Sequence, residues 1–306
     1  MNKAPVLRRL WIYQSERFPI FQNGLLIAVF AGACVTVSAQ IGGRSWPPLP
    51  AYLVAFVVTF FFFLLLRIAD EHKDAEIDRT YRPERPVPRG LISLRTLRVV
   101  AFAAMAIQGV VAGSFDIRLL VALLLVWGWM GLMTAEFFAP TALKARPILY
   151  LLSHMIVMPL IALFAAACEV PPREASWTPG LLPLLALSLA NGCVLEIGRK
   201  TWSPECEREG VETYSALWGY RRTAIVWLAC VVAAAALTLW VGLVAGAIPP
   251  VLAVLAAPVV LCFLVARSFM RSPTKAWQKR FEIASGLWVL VSYLIIGLAP
   301  AATGWL

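Results

Sequence analysis

Three aspartates recur at four-residue spacing where a long apolar stretch ends. The segment 70–78 reads Asp-Glu-His-Lys-Asp-Ala-Glu-Ile-Asp and follows the apolar run 52–66. On a continuing helix, Asp70, Asp74 and Asp78 lie on one face. Three like charges on one face repel one another unless a cation lies among them, and a divalent metal bound to phosphate oxygens is the usual one.

Basic residues follow this acidic face at once: Arg79, Arg82, Arg85 and Arg89. Guanidinium groups match the oxygens of a diphosphate in both charge and geometry. The acidic and basic residues together predict a magnesium–diphosphate site at a membrane surface.

A second apolar stretch ends in a similar way. Glu196 is followed by Arg199 and Lys200, and then by Glu205, Glu207, Glu209 and Glu212. If the two acidic clusters face each other, they could hold two metal ions around one diphosphate. The alternative is that Glu205 to Glu212 only solvate a loop, and we favour this alternative for Glu209 and Glu212.

The composition indicates a polytopic membrane protein. Of the 306 residues, 60% are hydrophobic and only 14% are charged, which is too apolar for a soluble globule of this size. The six cysteines are scattered, mostly in apolar runs, and form no C-x-x-C pair, so they are interpreted as packing residues. The chain is expected to form one membrane domain over residues 1–306, with cytoplasmic motif loops at about 67–96 and 196–222.

Nine apolar segments are long enough, or nearly so, to cross a bilayer. The predicted class is therefore all-α with nine transmembrane helices, at about 20–40, 50–69, 97–114, 118–135, 148–168, 181–198, 223–245, 249–267 and 282–300.

The basic residues fix the predicted orientation of these segments. With the N-terminus in the cytoplasm, 24 of the 27 basic residues lie on the cytoplasmic side, and only Arg44, Arg118 and Arg173 lie outside. The positive-inside rule then places the C-terminus outside. The net charge of +10 is explained by topology, so no nucleic-acid partner is expected. In a bacterium this would be an inner-membrane protein.

The arrangement resembles the UbiA superfamily of intramembrane prenyltransferases. That family has two aspartate-rich motifs, after its second and sixth helices, the first of the form N-D-x-x-D-x-x-x-D followed by R-x-x-R-P-x-P-x-G. Asp74 and Asp78 match its last two aspartates, and the stretch 82–90 matches the segment that follows. Asp70-Glu71 replaces the leading Asn-Asp pair, which keeps oxygen ligands but adds negative charge.

Two further stretches carry the resemblance less closely. Phe137-Phe138-Ala-Pro140 with Lys144 and Arg146 resembles an aromatic–proline stretch followed by two basic residues, which would reach the diphosphate. The second motif, usually D-x-x-x-D, is represented by Glu196 and, after an apparent insertion, Glu207. The longer glutamate side chains shift the geometry of any metal site.

The resemblance implies that metal ions and cationic side chains stabilise a leaving diphosphate. We expect Asp74 and Asp78, assisted by Asp70, to hold one Mg²⁺, and Glu196 and Glu207 to hold a second. The candidate diphosphate contacts are Arg82, Arg85, Lys144, Arg146, Arg199 and Lys200. The candidate catalytic residues are Asp74, Asp78 and Lys144.

Some of these basic residues have alternative structural roles. Arg82 and Arg85 could pair with Asp78 and Glu84 to fix the loop, and both roles can coexist. Arg199 and Lys200 could simply anchor a helix end on the positive side of the membrane.

Four other polar residues are candidates either for the site or for a structural role. Asn191 could contact substrate or bond a neighbouring helix, and its position about one turn before Glu196 favours the site. Tyr214 could shape the acceptor pocket or pack a loop. His72 is expected at the surface, and His154, at membrane depth, is expected to form a helix–helix hydrogen bond.

The favoured function is magnesium-dependent transfer of a polyprenyl group from its diphosphate to a small, aromatic acceptor. A terpene cyclase of the same fold is one alternative. An ion-coupled transporter is another, although transporters place such charges near mid-bilayer. A lipid phosphotransferase is disfavoured because its D-G-x-x-A-R signature is absent.

Overall fold

The computed structural model describes residues 5–44, 46–169 and 179–304, and this part of the chain is helical without any strand. Lys3, Arg173 and Glu174, which entered the predictions on charge, lie outside the described residues. The helices are α1 (Val6–Arg17), α2 (Ile20–Ile41), α3 (Leu49–Lys73), α4 (Ala75–Tyr81), α5 (Leu94–Phe115), α6 (Leu119–Thr134), α7 (Pro140–Lys144), α8 (Pro147–Met155), α9 (Val157–Ala167), α10 (Leu182–Arg199), α11 (Tyr214–Trp218), α12 (Tyr220–Val244), α13 (Ile248–Arg271) and α14 (Lys275–Ala302).

The predicted all-helical membrane architecture is confirmed. Eight helices of the described part are long and apolar enough to span a bilayer, α8 and α9 counting as one across Ile156. The remaining predicted segment, α6, has 16 residues. At 1.5 Å per residue it rises only about 24 Å, somewhat less than a hydrocarbon core of ~30 Å. The count of nine spans and the orientation of the two termini stay predictions.

Local sequence signals mark the first residues of several helices. Ser93, Thr213 and Thr274 precede α5, α11 and α14, and each accepts a hydrogen bond from a backbone N–H of the first turn. Proline lies in the first turn of α3, α8, α10 and α13, where its missing N–H costs nothing. These signals mark where helices begin at both ends of the bundle.

The long helices pack as a closed bundle. Neighbours in space follow the order α2, α3, α5, α6, α9, α10, α12, α13 and α14, and α14 returns to pack on α2. Helices α2, α9, α10 and α14 also pack on one another in the centre. Since α3 and α10 carry the two acidic motifs at their ends, the bundle brings both motifs to the same end of the molecule.

Buried amides join the central helices. Asn191 on α10 donates to Ser292 Oγ (3.0 Å) and accepts from Trp288 Nε1 (3.0 Å), both on α14. Gln108 on α5 donates to the Val58 carbonyl of α3 (2.8 Å) and accepts from Trp127 Nε1 of α6 (3.0 Å). Such bonds hold helices together where apolar burial alone gives little preference among partners.

Small residues allow α14 to approach both α10 and α2 closely. A Cβ added at Gly198 of α10 would lie 2.0 Å from Ser285 Oγ on α14. A Cβ added at Gly297 of α14 would lie 3.2 Å from Ala33 on α2. Close backbone approach at small residues is typical of membrane helix packing.

A strained turn follows α6. Glu136, Phe137 and Phe138 all have left-handed backbone conformations, with φ of 48°, 52° and 56°. L-residues other than glycine rarely adopt this conformation, and each such residue costs about 1–2 kcal/mol. Packing must hold the turn in place: Phe137 packs edge-to-face on Trp129, whereas Phe138 is 82% exposed.

Replacing Gly198 with alanine should lower the stability of the protein by about 1–3 kcal/mol, the usual cost of overfilling a packed interface. Both Ser285 Oγ and Ser285 Cβ lie within 2.6 Å of the added Cβ, so rotating the hydroxyl does not make room. Thermal unfolding in detergent measures the effect. The matched control is Gly131→Ala on α6, where an added Cβ meets nothing within 4 Å. A melting temperature equal to wild type for Gly198→Ala would contradict the α10–α14 packing.

At Phe138, the strained backbone predicts an order of stability among variants. Phe138→Gly should match or exceed wild type, because relief of left-handed strain offsets the extra entropy that glycine loses on folding. Phe138→Val should be less stable by about 1 kcal/mol, because a β-branched residue tolerates this conformation worst. The exposed ring contributes little packing, so thermal unfolding reports mainly the backbone. Equal stability of the glycine and valine variants would rule out the left-handed turn.

Candidate functional site

The three aspartates of the first motif lie on one continuous helical face, although α3 ends at Lys73 and α4 begins at Ala75. The backbone N–H of Asp74 donates to Asp70 O (2.9 Å), and that of Asp78 donates to Asp74 O (2.8 Å). The i to i−4 pattern therefore continues through the junction, which keeps the aspartates stacked on one side.

Asp78 is already neutralised within its own loop. It is 1% exposed and accepts from Arg85 Nη1 at 2.9 and 2.7 Å and from Arg82 Nη1 at 3.0 Å. The alternative in which these arginines fix the loop therefore describes the contacts that they make with Asp78. Burial lowers the pKa of Arg85, and its bond to Asp78 partly offsets that effect.

Glu84 does not join this group. Its carboxylate pairs instead with Arg208 (3.0 Å), in the loop that follows α10. Nearby, Gly210 has φ of +73°, and a Cβ there would lie 2.2 Å from the ring of Tyr81. The first and second motif loops thus touch, and only glycine fits at that contact.

Asp74 of the first motif lies where a negative charge is unfavourable. Burial raises its pKa, and the charges of Asp70 and Asp78 raise it further. Arg82 and Lys200 partly offset the rise. The contacts of Glu84 with Arg208 and of Tyr81 with Gly210 join the segments that follow α3 and α10.

Glu71, which replaces the leading aspartate of the family pattern, points away from this acidic face. Its carboxylate is 1% exposed and pairs with Arg17 of α1 at 2.5 Å. A second pair, Glu16 with Arg89 (2.7 Å), ties α1 to the loop after α4. Helix α1 is therefore clamped across the first motif by two ion pairs.

The predicted ligands of a second metal are also engaged with protein groups. Glu196 pairs with Arg199 (2.6 Å) and Lys200 (2.9 Å), and its negative charge raises the pKa of Lys200. Glu207 accepts from Thr213 Oγ1 at 2.9 and 2.7 Å. Arg199 and Lys200 therefore do more than anchor a helix end on the positive side of the membrane, because both neutralise Glu196.

A small cleft of about 60 Å³ opens beside these groups. Lys144 and Tyr150 line it from one side, Lys200 and Tyr214 from the other, and the remaining lining residues are Pro147, Glu212, Thr213 and Leu217. Burial raises the pKa of the Tyr214 hydroxyl, and the charge of Glu196 raises it further. The cleft combines two ammonium groups with two phenol rings, whereas the exposed Arg146 precedes α8 outside its lining.

Asn191 contributes to the bundle rather than to this cleft. It is 0% exposed, and both ends of its amide bond to α14. The interhelical alternative describes these contacts, and a substrate contact for Asn191 stays a prediction.

Three polar residues, Lys73, Glu136 and Tyr150, were not among the predicted site residues. Lys73 at the end of α3 contacts Glu136 of the strained turn and Tyr150 and His154 of α8. Burial would raise the pKa of Glu136, but the hydrogen bond and positive charge of Lys73 hold it below its ordinary value. Two signals in the sequence could have indicated this cluster. Glu136 is a carboxylate directly after an apolar span, and His154 is a polar residue at membrane depth.

His72, expected at the surface, is half-buried. Its Nδ1 donates to the Ile68 carbonyl one turn earlier (2.9 Å), because α3 continues through this residue. His154 contacts Lys73 of α3 at 3.5 Å, in keeping with the interhelical bond expected for it.

Asp70 and Asp74 are the carboxylates best placed to hold a metal ion. Asp70 is half-exposed and has only a 3.4 Å pair with Arg67. The part of the chain that the structure describes holds no group of three or more histidine, cysteine or acidic side chains arranged for a metal. Mg²⁺ is usually bound by one or two carboxylates together with substrate phosphates, so this pair fits magnesium once a diphosphate is present.

Comparison with known proteins agrees with this geometry. The model of the UbiA prenyltransferase family matches residues 25–298. A digeranylgeranylglyceryl phosphate synthase from Pyrococcus horikoshii is 30% identical over 99 residues, which span 32% of this chain and 32% of that relative.

Two solved structures share the fold. A UbiA homologue from Aeropyrum pernix K1, solved without ligand, superposes with a TM-score of 0.68 at 19% identity, over 90% of this chain and 98% of that one. A UbiA homologue from Archaeoglobus fulgidus bound to DMAPP and Mg²⁺ gives a TM-score of 0.52 at 14% identity, over 90% and 98%. With nearly the whole length matched by the family model, this chain belongs to the UbiA prenyltransferase family.

Proposed function

We propose that the protein transfers a polyprenyl group from a prenyl diphosphate, with Mg²⁺, to a small aromatic acceptor. The observation that carries the proposal is the contact between the two motif loops, where Glu84 pairs with Arg208 (3.0 Å) and a Cβ at Gly210 would meet the ring of Tyr81. The A. fulgidus relative that binds DMAPP and Mg²⁺ supports the donor and the metal. Membership of a prenyltransferase family favours an enzyme over a transporter.

In this proposal the first motif holds the metal and both motifs hold the diphosphate. Asp70 and Asp74 would bind Mg²⁺ first, because Asp78, Glu196 and Glu207 are engaged with other side chains. When bound, Mg²⁺ would supply charge neutralisation for the leaving diphosphate. A diphosphate entering between the ends of α3 and α10 would compete with these carboxylates for Arg82, Arg85, Arg199 and Lys200, while Lys144 and Arg146 approach from α7 and α8.

The reaction begins when the allylic C–O bond breaks, and the electron pair leaves with the diphosphate. Fixed cationic side chains aimed at the developing charge lower the barrier because they need no rearrangement during the step. The acceptor then attacks the allylic cation and loses a proton. The apolar helices hold the prenyl chain and keep water from the cation.

Diphosphate release by purified protein in detergent tests this function. Prenyl diphosphates of several lengths are supplied with Mg²⁺, with and without aromatic acceptors. Release that requires both metal and acceptor is expected. Acceptor-independent release with a cyclic hydrocarbon product would identify the terpene cyclase alternative. Absence of both release and prenyl diphosphate binding would overturn the proposal.

Asp74→Asn and Asp78→Asn should separate activity from stability. Both are expected to lower Mg²⁺-dependent transfer by about 100-fold or more, because each carboxylate helps to position the cations that stabilise the developing charge of the diphosphate. Without metal, Asp74→Asn should be at least as stable as wild type, because it removes a half-buried charge that Asp70 and Asp78 repel. Asp78→Asn should lose ~3 kcal/mol, because Arg82 and Arg85 lose their buried partner.

The matched control is Glu76→Gln, which removes an exposed carboxylate from the same short helix. Wild-type activity and stability are expected for it. Thermal unfolding with and without Mg²⁺ and prenyl diphosphate, together with transfer assays, provides the comparison. Destabilisation of Asp74→Asn in the absence of metal would refute the account of the acidic face.

A further inference from the structure

Helix α1 packs along the side of the bundle, at the level where α3 leaves its apolar stretch. Phe18, directly after α1, packs edge-to-face on Phe60 of that stretch, with ring centroids 5.3 Å apart. Tyr13 of α1 is 3% exposed and belongs to one buried cluster with Ile68 of α3 and Leu97 of α5. Since α3 and α5 are both long and apolar enough to span the bilayer, these contacts place α1 at the boundary of the membrane.

The outward face of α1 is apolar. Leu7 is 80% exposed, and Trp11, one helical turn later, is 61% exposed. Phe21, in the first turn of the spanning helix α2, is 83% exposed as well. Helices that lie in a membrane interface bury side chains such as leucine and tryptophan between the headgroups and the acyl chains. The outward face of α1 therefore belongs against lipid.

Arginines without acidic partners border this apolar face. Arg8 follows Leu7 and is exposed, and Arg95 and Arg98 are exposed in the first two turns of α5, on either side of buried Leu97. Within the ranges that the structure describes, none of these three arginines forms an ion pair. The first turn of α5 also holds no acidic residue, although the positive end of a helix dipole disfavours an arginine there. These cations therefore suit an anion from outside the protein.

A phospholipid phosphate is the anion that this location favours. Guanidinium groups bind phosphate oxygens in a bidentate geometry. Leu7 and Trp11 supply the apolar surface on which acyl chains pack, and a soluble phosphate would leave that surface uncovered. An anionic headgroup is favoured over a zwitterionic one, because no ammonium group of its own offsets the charge of its phosphate.

Two ion pairs connect α1 with the first motif. Arg17 pairs with Glu71, whose side chain is 1% exposed, and Glu16 pairs with Arg89 in the loop after α4. A buried ion pair resists separation, because either partner alone would be a buried charge without compensation. Glu71 directly follows Asp70, so a displacement of α1 would disturb the face on which the metal is expected.

We propose that α1 is an interfacial helix and that Arg8, Arg95 and Arg98 bind the phosphate groups of anionic phospholipids. We call these three arginines, with Leu7 and Trp11, the α1 patch. Lipid on the α1 patch holds the first motif in place through the Arg17–Glu71 pair, so Mg²⁺-dependent binding of prenyl diphosphate depends on lipid charge. This second part concerns the regulation of the proposed site and rests on the proposed function.

Lipid binding without substrate tests the first part. Protein in an uncharged detergent receives increasing amounts of POPG or POPC, and native mass spectrometry counts the bound lipids. Wild type should bind POPG more tightly than POPC. The variant Arg8→Gln, Arg95→Gln, Arg98→Gln should lose at least about tenfold in POPG affinity, because each arginine near an anionic surface contributes roughly fivefold.

The matched control is the variant Arg222→Gln, Arg267→Gln, Arg271→Gln. It removes the same charge from exposed arginines near the start of α12 and the end of α13. This control should keep the POPG affinity of wild type. An equal loss of POPG affinity in both triple variants would show that net charge alone attracts the lipid, and it would overturn the α1 patch.

Prenyl diphosphate affinity in nanodiscs tests the coupling to the first motif. With Mg²⁺, wild type should bind prenyl diphosphate about fivefold more tightly in POPC with one quarter POPG than in POPC alone, as for a typical coupling between two sites. Replacing both partners of the buried pair, Arg17→Met with Glu71→Met, leaves neither charge unpaired. This double variant should keep its POPG affinity and lose the dependence of prenyl diphosphate affinity on lipid charge. A purely structural defect would lower the affinity equally in both lipids.

The remaining outcomes separate the possible failures. Equal binding of POPG and POPC by wild type, or a double methionine variant that keeps the lipid dependence, would overturn this inference. A particle with two copies of the chain that Trp11→Ser converts to one copy would assign the outward face of α1 to a second protomer and also overturn it. No binding of prenyl diphosphate by wild type in any lipid would overturn the proposed function, while POPG binding would still decide the α1 patch.

Discussion

Compensation of charge at the ends of apolar helices is the constraint on which this structure depends. Charged side chains beside a bilayer cannot remain both buried and unpaired, because desolvation would cost several kcal/mol for each ion. Asp78, Glu71, Glu136 and Glu196 each meet this constraint with a cation from the protein itself. Asp74 does not, and burial with like-charged neighbours raises its pKa. An under-compensated carboxylate of this kind marks a position where an external cation is favourable.

The same pairs also fix the shape of the end of the bundle that carries the two motifs. Arg17 and Glu16 clamp α1 across the first motif, and Arg208 with Glu84 joins the two motif loops. Beneath them, the close contact of Gly198 with α14 and the buried amides of Asn191 and Gln108 set the distances between helices. The site is thus positioned by rigid helices below and by ion pairs above, and neither set alone determines it.

The sequence predicted the features that depend on local spacing. The four-residue repeat of aspartates predicted a shared face, and the helical hydrogen bonds continue through Asp74 as required. Apolar run lengths predicted the helices, and the pairing of Arg82 and Arg85 with Asp78 was foreseen as an alternative. These features are local because a helix places residues i and i+4 together whatever the rest of the chain does.

Contacts between distant segments could not be predicted in the same way. One alternative paired Glu84 with the arginines of its own loop, yet its carboxylate lies beside Arg208, and nothing in either segment specifies that contact. Lys73, Glu136 and Tyr150 meet only because α3, α6 and α8 converge. The left-handed turn at Glu136 to Phe138 could not be predicted from the sequence, because this backbone conformation normally requires glycine, which is absent there.

The division between α8 and α9 separates two kinds of sequence constraint. Helix α9 buries most of its residues against α2, α3, α6 and α10, whereas α8 buries only Leu151 and leaves Ile148, Leu149 and Leu152 exposed. Ile148, Leu149 and Leu152 of α8 therefore need only remain apolar, whereas the residues of α9 must also keep the volumes that pack against four other helices.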